Sequence, residues 1–371
     1  MPASAYIHIP FCKKKCHYCS FVSFEDFSLC EEYVEKLVEE IRYYYKGESL
    51  STIYFGGGTP SLLDLSDFKK ILGCFNFDRS TEITVEVNPD STSFEFLKGL
   101  KELGVNRLSI GMQSFNDKML KEIGRLHNSK SATESFQNAR KAGFENISLD
   151  LIYGLPGQSL KNFDDDFKKA IRLEPEHISL YGLKIEEGTK LYEKTKKKPA
   201  TLPDEANEEL QAKMYLHTID IMKEKGPTNG FLHYEISNFA REDYHSKHNL
   251  NYWNNEEYYG FGTAAHGYAG GVRYSNLCNL HGYLKTPIKK QDEHTVTFKE
   301  KLEEEIFLGF RRCSGINIQE INEKFSIDFN EKYKDIIKKF LDSGHLEETE
   351  TGYRLTTDGI LLSNNVLSEF L

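Results

Sequence analysis

The sequence predicts a partial (β/α)6 barrel followed by a small α+β module. Across the first 185 residues, six short β-branched runs alternate with stretches of helical period, which is the pattern of a parallel sheet with helical crossovers. Polar residues and glycines stand at the end of each run. Active sites of barrels are built from residues at the ends of several strands, whereas an open sheet places its site at one switch point. Polar residues and glycines at every strand end therefore favour the barrel.

The predicted strands and helices follow one another in a regular order. The strands are expected at 5–9, 52–55, 82–87, 107–110, 147–151 and 177–181. The helices are expected at 25–45, 66–75, 93–103, 130–142 and 159–172. Gly143 is expected to end the fourth helix in the left-handed conformation. The residues at the strand ends are Cys12, Gly57, Glu86, Gln113, Asp150 and Tyr181.

The second half of the chain has a different pattern. Residues 190–204 are rich in lysine and proline and predict a loop or hinge, and a helix follows at 205–225. Residues 231–282 mix strands with an aromatic, His- and Gly-rich loop. Helices at 300–311, 317–324 and 331–342 and a hairpin over 345–355 predict a winged-helix-like module. We therefore expect three parts: the barrel at 1–185, a connecting and ligand-binding region at 186–294 that completes the core, and the module at 295–371.

Composition and charge exclude several classes of protein. The net charge of −10 argues against a nucleic-acid partner, and the C-terminal module itself carries ten Lys and Arg against fifteen Asp and Glu. No run of apolar residues is long enough to span a membrane. Seven cysteines without a recognisable export signal favour a reducing cytoplasm over a disulfide-bonded secreted protein.

Three of the cysteines, Cys12, Cys16 and Cys19, stand on one loop after the first strand and predict a metal site. Closed iron–sulfur cubanes and structural zinc sites both usually take four protein ligands. Three thiolates on a four-iron cluster would leave one iron open to another molecule. A zinc site completed by His8 or His17 is the alternative, although the paired C-x2-C arms common in zinc modules are missing.

The other strand ends carry groups suited to a charged ligand. The bare backbone of Gly56-Gly57-Gly58 lets a ligand approach and leaves N–H groups to bind it. Glu86 can take an ammonium, and Gln113 offers an amide. Arg125 can bind a carboxylate, and Asp150 can bind a ribose. A single polar residue of this kind usually has only a structural role. The prediction of a ligand site therefore rests on the expectation that all of them lie together at one edge of the barrel.

These features together resemble the radical S-adenosylmethionine (radical SAM) superfamily, in its oxygen-independent coproporphyrinogen oxidase-like branch. Cys12-x3-Cys16-x2-Cys19 is similar to the superfamily's cluster motif, and Gly56-Gly57-Gly58-Thr59-Pro60 to its SAM-binding glycine motif. The resemblance implies a [4Fe-4S] cluster on the three cysteines whose open iron takes the amino and carboxylate groups of SAM. It also implies that Tyr18 lies against the adenine. The remaining SAM positions that it implies are Tyr6, Gly57, Gly58, Thr59, Glu86, Gln113, Arg125 and Asp150.

Two features distinguish families within this branch. Phe21 stands where the oxidases carry a further cysteine. The segment from His248 to Trp253 resembles the His-Asn-x-x-Tyr-Trp motif of the heme chaperones. A lone His in an aromatic loop is usually structural, but the resemblance implies that His248 is an axial heme ligand and that Tyr252 and Trp253 flank the macrocycle.

The sequence thus predicts a cytoplasmic heme-binding radical SAM protein that passes heme to respiratory enzymes at the membrane. Whether SAM is cleaved and whether the chain forms a homodimer stay open. The alternative is an oxygen-independent coproporphyrinogen III oxidase acting on a porphyrin precursor, and a zinc-stabilised binding scaffold is a third reading. No role is assigned to the remaining cysteines, which are Cys30, Cys74, Cys278 and Cys313.

Overall fold

A computed structural model describes residues 2–197, 205–224 and 230–371. The chain divides into two compact units, one of residues 1–221 and 257–294 and the other of residues 222–256 and 295–371. The three-part division expected above stays a prediction. None of the helices in the described residues is both long and apolar enough to cross a membrane.

The first unit is a partial barrel of parallel strands. Its strands are β1 (Ser4–Ile9), β2 (Thr52–Gly57), β3 (Glu82–Val87), β4 (Arg107–Gln113), β5 (Ile147–Tyr153), β6 (His177–Gly182) and a later strand, β9 (Tyr259–Phe261). Their order across the sheet is β6-β5-β4-β3-β2-β1-β9, and every neighbouring pair is parallel. The predicted partial barrel is confirmed.

Helices connect successive strands of the barrel. They are α1 (Cys30–Tyr44), α2 (Leu65–Leu72), α3 (Phe94–Glu102), α4 (Asp117–Glu122), α5 (Ser129–Lys141) and α6 (Leu160–Arg172). Two further helices follow β6, α7 (Lys190–Lys197) and α8 (Glu205–Glu224), the latter crossing into the second unit. Gly143 has a φ of +88° beyond α5, as predicted.

The strands alternate apolar and polar side chains. The apolar positions, such as Ile7, Phe55 and Leu149, are fully buried. The intervening positions carry polar groups instead of the branched apolar residues that usually fill a barrel interior. They include Tyr6, His8, Tyr54, Thr84, Glu86, Arg107, Ser109, Ser148, Asp150 and Ser179. The inner face of the barrel is therefore polar.

A buried acid fastens the segment 257–294 to the barrel. This segment adds β9, β10 (His266–Ala269), β11 (Val272–Asn276), α10 (Leu280–Lys285) and β12 (Lys290–Thr295). Glu40 on α1 is fully buried and accepts hydrogen bonds from the Gly262 N–H at 2.8 Å and the Tyr283 hydroxyl at 2.7 Å. Lys290 lies 3.0 Å from its other oxygen. A single carboxylate thus joins three elements of the segment to one helix.

The second unit contains a hairpin, one helix and the C-terminal module. The hairpin is β7 (Phe231–Glu235) with β8 (Asn238–Arg241), and the helix is α9 (Lys247–Trp253). The module comprises α11 (Phe298–Gly309), β13 (Ile316–Asn317), α12 (Ile318–Phe325), α13 (Phe329–Lys332), α14 (Lys334–Asp342), β14 (Leu346–Glu348), β15 (Gly352–Leu355), α15 (Thr357–Leu361) and α16 (Ser363–Leu367). Its small antiparallel sheet, in the order β13-β15-β14, confirms the winged-helix-like prediction.

Two predicted loops proved wrong. Residues 190–197 form α7, because the Thr189 hydroxyl accepts from the Tyr192 N–H at 3.1 Å and starts the helix; the rest of that predicted loop, 198–204, lies outside the described residues. His248, Tyr252 and Trp253 lie on α9 rather than on a loop. Smaller errors concern helix ends: α1 begins only at residue 30, α2 ends at 72, and the predicted helix 331–342 is broken at residue 333.

Candidate functional site

The loop with the three cysteines is fixed at the carboxyl end of β1. The Cys12 N–H donates to the Phe24 carbonyl at 2.9 Å, and the Phe24 N–H donates to the Pro10 carbonyl at 2.7 Å. The His17 N–H donates to the Ile123 carbonyl at 2.9 Å, which attaches the loop to the segment after β4. All three cysteines are free thiols. The loop therefore presents its sulfurs from a framework that is bonded on both sides.

Two of the sulfurs receive hydrogen bonds from side chains outside the cysteine loop. The Thr59 hydroxyl donates to Cys12 Sγ and Arg125 Nη1 donates to Cys16 Sγ, both at 3.6 Å. Burial raises the pKa of the Cys12 and Cys19 thiols, and the neighbouring thiols raise it further. A bound cationic metal group would offset this cost of the thiolate form, so the donor set fits such a group.

The geometry limits the zinc alternative. Burial lowers the pKa of His8 to about 4, so its imidazole is neutral. Its Nε2–H donates to the Val22 carbonyl at 3.0 Å, which leaves Nδ1 to accept from the Tyr6 hydroxyl at 3.1 Å. His8 therefore has no nitrogen for zinc, and His17 is the remaining candidate. Among the described residues no three His, Cys, Asp or Glu side chains converge on a single ion; a cubane does not require this, because its cysteines bind separate irons.

The glycines after β2 are required by packing against the end of β1. Gly57 has a φ of +109°, and a Cβ there would lie 2.6 Å from the His8 ring. A Cβ on Gly58 would lie 2.7 Å from the Phe11 carbonyl oxygen. The Gly57 N–H donates to Glu86 at 3.2 Å, and the Gly58 N–H donates to the Ile9 carbonyl at 2.8 Å. The expectation that these N–H groups are free for a ligand is wrong.

Both carboxylate oxygens of Glu86 accept hydrogen bonds, and the pKa of this group is raised. The Tyr54 hydroxyl donates to Oε1 at 2.8 Å, and the Gly57 N–H donates to Oε2. Burial, together with the charge of the nearby Asp150 carboxylate, raises the pKa of Glu86 to about 7 against these hydrogen bonds. An incoming ammonium would favour the ionised form, because opposite charges lower the pKa of a carboxyl group.

Asp150 lies in the middle of β5 rather than at its end. The Ser109 hydroxyl lies within 3.0 Å of both carboxylate oxygens, and the Ser148 hydroxyl donates to one of them at 3.2 Å. Burial raises the pKa of Asp150 despite these hydroxyls. The side chain thus shares the polar inner face of the barrel with Glu86.

Gln113 has a strained backbone. Its φ is +64°, and the pairing of β4 with β5 shifts register between Gly111 and Gln113. A Cβ on Gly111 would lie 2.9 Å from Gln113 Nε2, so the amide folds back over this glycine. Bulges of this kind re-aim side chains next to active sites, which fits the predicted role of Gln113.

Arg125 is bonded on all three nitrogens. Nη2 donates to Asn88 Oδ1 at 2.6 Å and to the Gly111 carbonyl at 2.7 Å, and Nη1 reaches Cys16. Nε donates to His127 Nδ1 at 3.4 Å. The guanidinium is therefore placed beside a predicted cluster ligand in a fixed orientation.

The two predicted aromatic positions lie in different surroundings. The Tyr6 ring stacks on Tyr54 with centroids 6.1 Å apart, inside the barrel. Tyr18 packs against an apolar cluster that includes Met119, Ile152 and Leu183. Burial raises the pKa of both phenols, so both stay neutral near pH 7. Phe21 in the same loop as Tyr18 is 66% exposed.

The His248 motif belongs to the second unit, whereas the cysteines belong to the first. His248 is buried, and its Nε2 lies 2.8 Å from the Tyr252 hydroxyl one turn later on α9. Trp253 lies about 140° further around the helix from His248. Its indole stacks under the Arg311 guanidinium at 5.2 Å. The structure therefore pairs His248 with Tyr252 but directs Trp253 elsewhere.

The sequence did not indicate several contacts of these residues. Asn88 and His127 bond Arg125, and Arg107 lies on the polar face with Glu86 and Asp150. His8, considered above only as a zinc ligand, bonds Tyr6 instead. His127 was recognisable only through its position two residues after Arg125. Nothing in the sequence indicated the other contacts, because strand register decides which side chains face each other.

Comparison with known proteins gives matches along the whole chain. The family model of the Radical SAM superfamily matches residues 6–170, and that of the HemN C-terminal domain matches residues 296–362. The heme chaperone HemW of Bacillus subtilis is 42% identical over 381 residues, covering 99% of both chains. The heme chaperone HemW of Lactococcus lactis is 39% identical, covering all of this chain and 97% of the relative.

A solved structure matches the fold over its full length. Coproporphyrinogen III oxidase (HemN) from Escherichia coli superimposes with a TM-score of 0.84, covering 100% of this chain and 90% of that one. The sequence identity is 23%, so this likeness shows the fold alone.

Proposed function

The chain belongs to the HemW heme chaperone family of the radical SAM superfamily, and on that premise we propose that it binds heme and passes it to an acceptor protein. The observation that carries the proposal is the match to HemW chaperones over essentially the full chain, at 42% and 39% identity. Both the barrel and the C-terminal module are included in those matches. The cofactors of the family are a [4Fe-4S] cluster and SAM.

We propose that Cys12, Cys16 and Cys19 hold the cluster. The hydrogen bonds from Thr59 and Arg125 to two of the sulfurs support this assignment, since they favour the thiolate form. When bound and reduced, the cluster held by these cysteines would supply an electron for reductive chemistry on SAM.

For SAM we propose the contacts that the polar face of the barrel supports. Glu86 would receive the amino group, Arg125 the carboxylate and Asp150 the ribose, with Gln113 beside them. Tyr6 and Tyr18 would line the ligand, and Gly57, Gly58 and Thr59 would shape its edge. The fixed orientation of Arg125 and the strained backbone of Gln113 support these roles.

Heme binding at His248 requires a local rearrangement. Nε2 is the nitrogen that the Tyr252 hydroxyl contacts, and the imidazole is buried. We propose that iron replaces the hydroxyl at Nε2 as the heme binds, with Tyr252 near the macrocycle. A contact between Trp253 and the macrocycle would require the indole to leave the Arg311 guanidinium. The acceptors would be respiratory proteins at the membrane. The free thiols favour a reducing compartment, the cytoplasm, and homodimer formation remains part of the proposal.

Titration of the purified protein with hemin tests the heme site. The parent is expected to develop a Soret band, and His248→Ala should weaken or shift it. Tyr252→Phe should bind at least as tightly as the parent, because it frees Nε2 without removing the ring. Exposed His281→Ala is the matched control. If His248→Ala binds hemin like the parent, His248 is not the heme ligand. If Tyr252→Phe loses as much hemin affinity as His248→Ala does, the Tyr252 hydroxyl itself takes part in binding the iron, which contradicts its proposed displacement.

The second candidate is the alternative expected from the sequence, an oxygen-independent coproporphyrinogen III oxidase; the likeness to such an oxidase shows a shared fold and does not favour the activity. Against it, Phe21 stands where the oxidases carry another cysteine. Anaerobic incubation of the cluster-loaded protein with coproporphyrinogen, SAM and a reductant separates the two. Formation of protoporphyrinogen would replace the chaperone proposal, and recovery of unchanged substrate would support it.

A further inference from the structure

Arg107 is a buried cation inside the barrel. It begins β4 and is 2% exposed. Within the described residues its Nε has no hydrogen-bond partner, and neither has the buried hydroxyl of Thr84, its register partner on β3. A guanidinium almost never stays buried without a compensating group. Because the Arg107 Nε makes no hydrogen bond, we expect nearby negative charge to offset the cost of burying this guanidinium.

The strand register identifies the compensating groups. Tyr6, Tyr54, Thr84 and Arg107 are paired in one row across the four strands. Two residues further toward the carboxyl ends, Ser109 of β4 pairs with Glu86 of β3. The Ser109 hydroxyl also bonds Asp150 of β5. Arg107 therefore lies one layer beneath two carboxylates, on the same face of the sheet.

Glu86 and Asp150 both respond to this cation. Each has a pKa raised by burial, and Glu86 is raised further by the charge of Asp150. Arg107 lowers the pKa of both. The other titratable groups facing Glu86 are Tyr6 on β1 and Tyr54 on β2; burial raises their pKa well above 10.0, so both stay neutral.

We propose that Arg107 is a positioning residue for SAM: its guanidinium is the shared counter-charge that favours the ionised forms of Glu86 and Asp150 in the free protein. This inference rests on the proposed contacts of those two acids with SAM. The amino group of SAM donates a stronger hydrogen bond to an ionised carboxylate than to a neutral carboxyl group, and two carboxylates in one barrel repel each other's charge. Arg107 lies below them, where it can reduce this repulsion without occupying the ligand's position.

Removing the charge has opposite effects at low and high pH. Without Arg107, one carboxyl group keeps its proton to higher pH, so SAM binding at pH 6.5 weakens. Once both groups are ionised, the site carries one more negative charge than in the parent and attracts the cationic ligand more strongly. The affinity curves of parent and variant should therefore cross.

Calorimetric titration of SAM into cluster-reconstituted protein between pH 6.5 and 8.5 tests this. Arg107→Met should bind about tenfold more weakly than the parent at pH 6.5, as for a pKa one unit higher, and at least as tightly at pH 8.5. Arg107→Lys should follow the parent, because it keeps the charge. Arg140→Met, which breaks a partly buried pair with Glu176 outside the polar face of the barrel, is the matched control and should leave the profile unchanged.

The outcomes separate the inference from the proposal on which it rests. A Met variant that is weaker by one constant factor at every pH, or equal to the parent throughout, overturns the counter-charge role. Glu86→Gln tests the SAM contact itself: unchanged SAM affinity in this variant refutes the site, whatever Arg107 does. Thermal unfolding without cofactor checks folding, and Arg107→Gln replaces the Met variant if that protein does not fold.

Discussion

Gly57→Ala is expected to destabilise the barrel and disturb the cluster site together. Gly57 has a φ of +109°, and its added Cβ would lie 2.6 Å from two atoms of the His8 ring. Gly143→Ala is the matched control, since Gly143 has a φ of +88° but no atom within 4 Å of a Cβ. The control isolates the backbone strain, and the difference between the variants isolates the steric overlap.

The magnitudes follow from these two terms. Positive φ costs an L-residue about 1–2 kcal/mol, and we expect Gly143→Ala to lose that much. Overpacking adds about 1–3 kcal/mol, so Gly57→Ala should lose about 2–5 kcal/mol. His8 must move to make room, which breaks its bonds to the Tyr6 hydroxyl and the Val22 carbonyl.

Urea unfolding of the two variants measures the difference, and iron content after anaerobic reconstitution measures the effect on the site. Gly57→Ala should also incorporate less iron than the parent, whereas Gly143→Ala should match the parent. Equal stability of the two variants would refute the packing argument. Normal iron loading in an unstable Gly57→Ala protein would refute the link from His8 to the cysteine loop.

Three further predictions concern buried charges and the cluster. Lys290→Met should lose about 3–5 kcal/mol in urea unfolding, because it leaves the fully buried Glu40 unpaired; a loss below about 1 kcal/mol would contradict this. Burial raises the pKa of Glu235 to about 7. The folded state therefore binds the proton more tightly, and stability present below pH 4.5 falls by about 3 kcal/mol as the pH rises through 7; Glu235→Gln should remove this fall, and an unchanged slope would contradict it. Thr59→Val should lower the reduction potential of the cluster by removing the hydrogen bond to Cys12, as measured by redox titration with EPR detection; an unchanged potential would exclude that bond in the loaded protein.

The strands were predicted more accurately than the helices of the second half. Each of the six predicted barrel strands carries buried apolar residues at alternate positions, so periodicity locates it to within a few residues; the short strand β9, which is Tyr-Gly-Phe, carries no such signal and was not predicted. The helix α9 was not predicted because its aromatic and histidine content is typical of a loop. Ser246 nevertheless indicates a helix N-terminus in the sequence, and in the structure it caps α9 by accepting from the Asn249 N–H at 3.3 Å. The Thr189 cap before α7 was overlooked in the same way.

The site was predictable in its outline but not in its connections. Parallel strands end at one edge, so residues at successive ends must lie near each other, and the sequence shows this much. The bonds from Asn88 and His127 to Arg125 and the layer of Arg107 beneath Glu86 depend on register and side-chain direction. A one-residue register shift would turn these groups to the opposite face.

The contact between the Tyr252 hydroxyl and His248 Nε2 also has a consequence for the release of heme, if heme binds at this histidine. The two side chains share one helical turn, and the hydroxyl lies 2.8 Å from Nε2. If heme iron binds Nε2 as proposed above, this tethered hydroxyl would compete with it at a high effective concentration. The hydroxyl would then occupy the nitrogen whenever the iron–nitrogen bond opened. This competition would shorten the residence time of heme on the chain and favour its delivery.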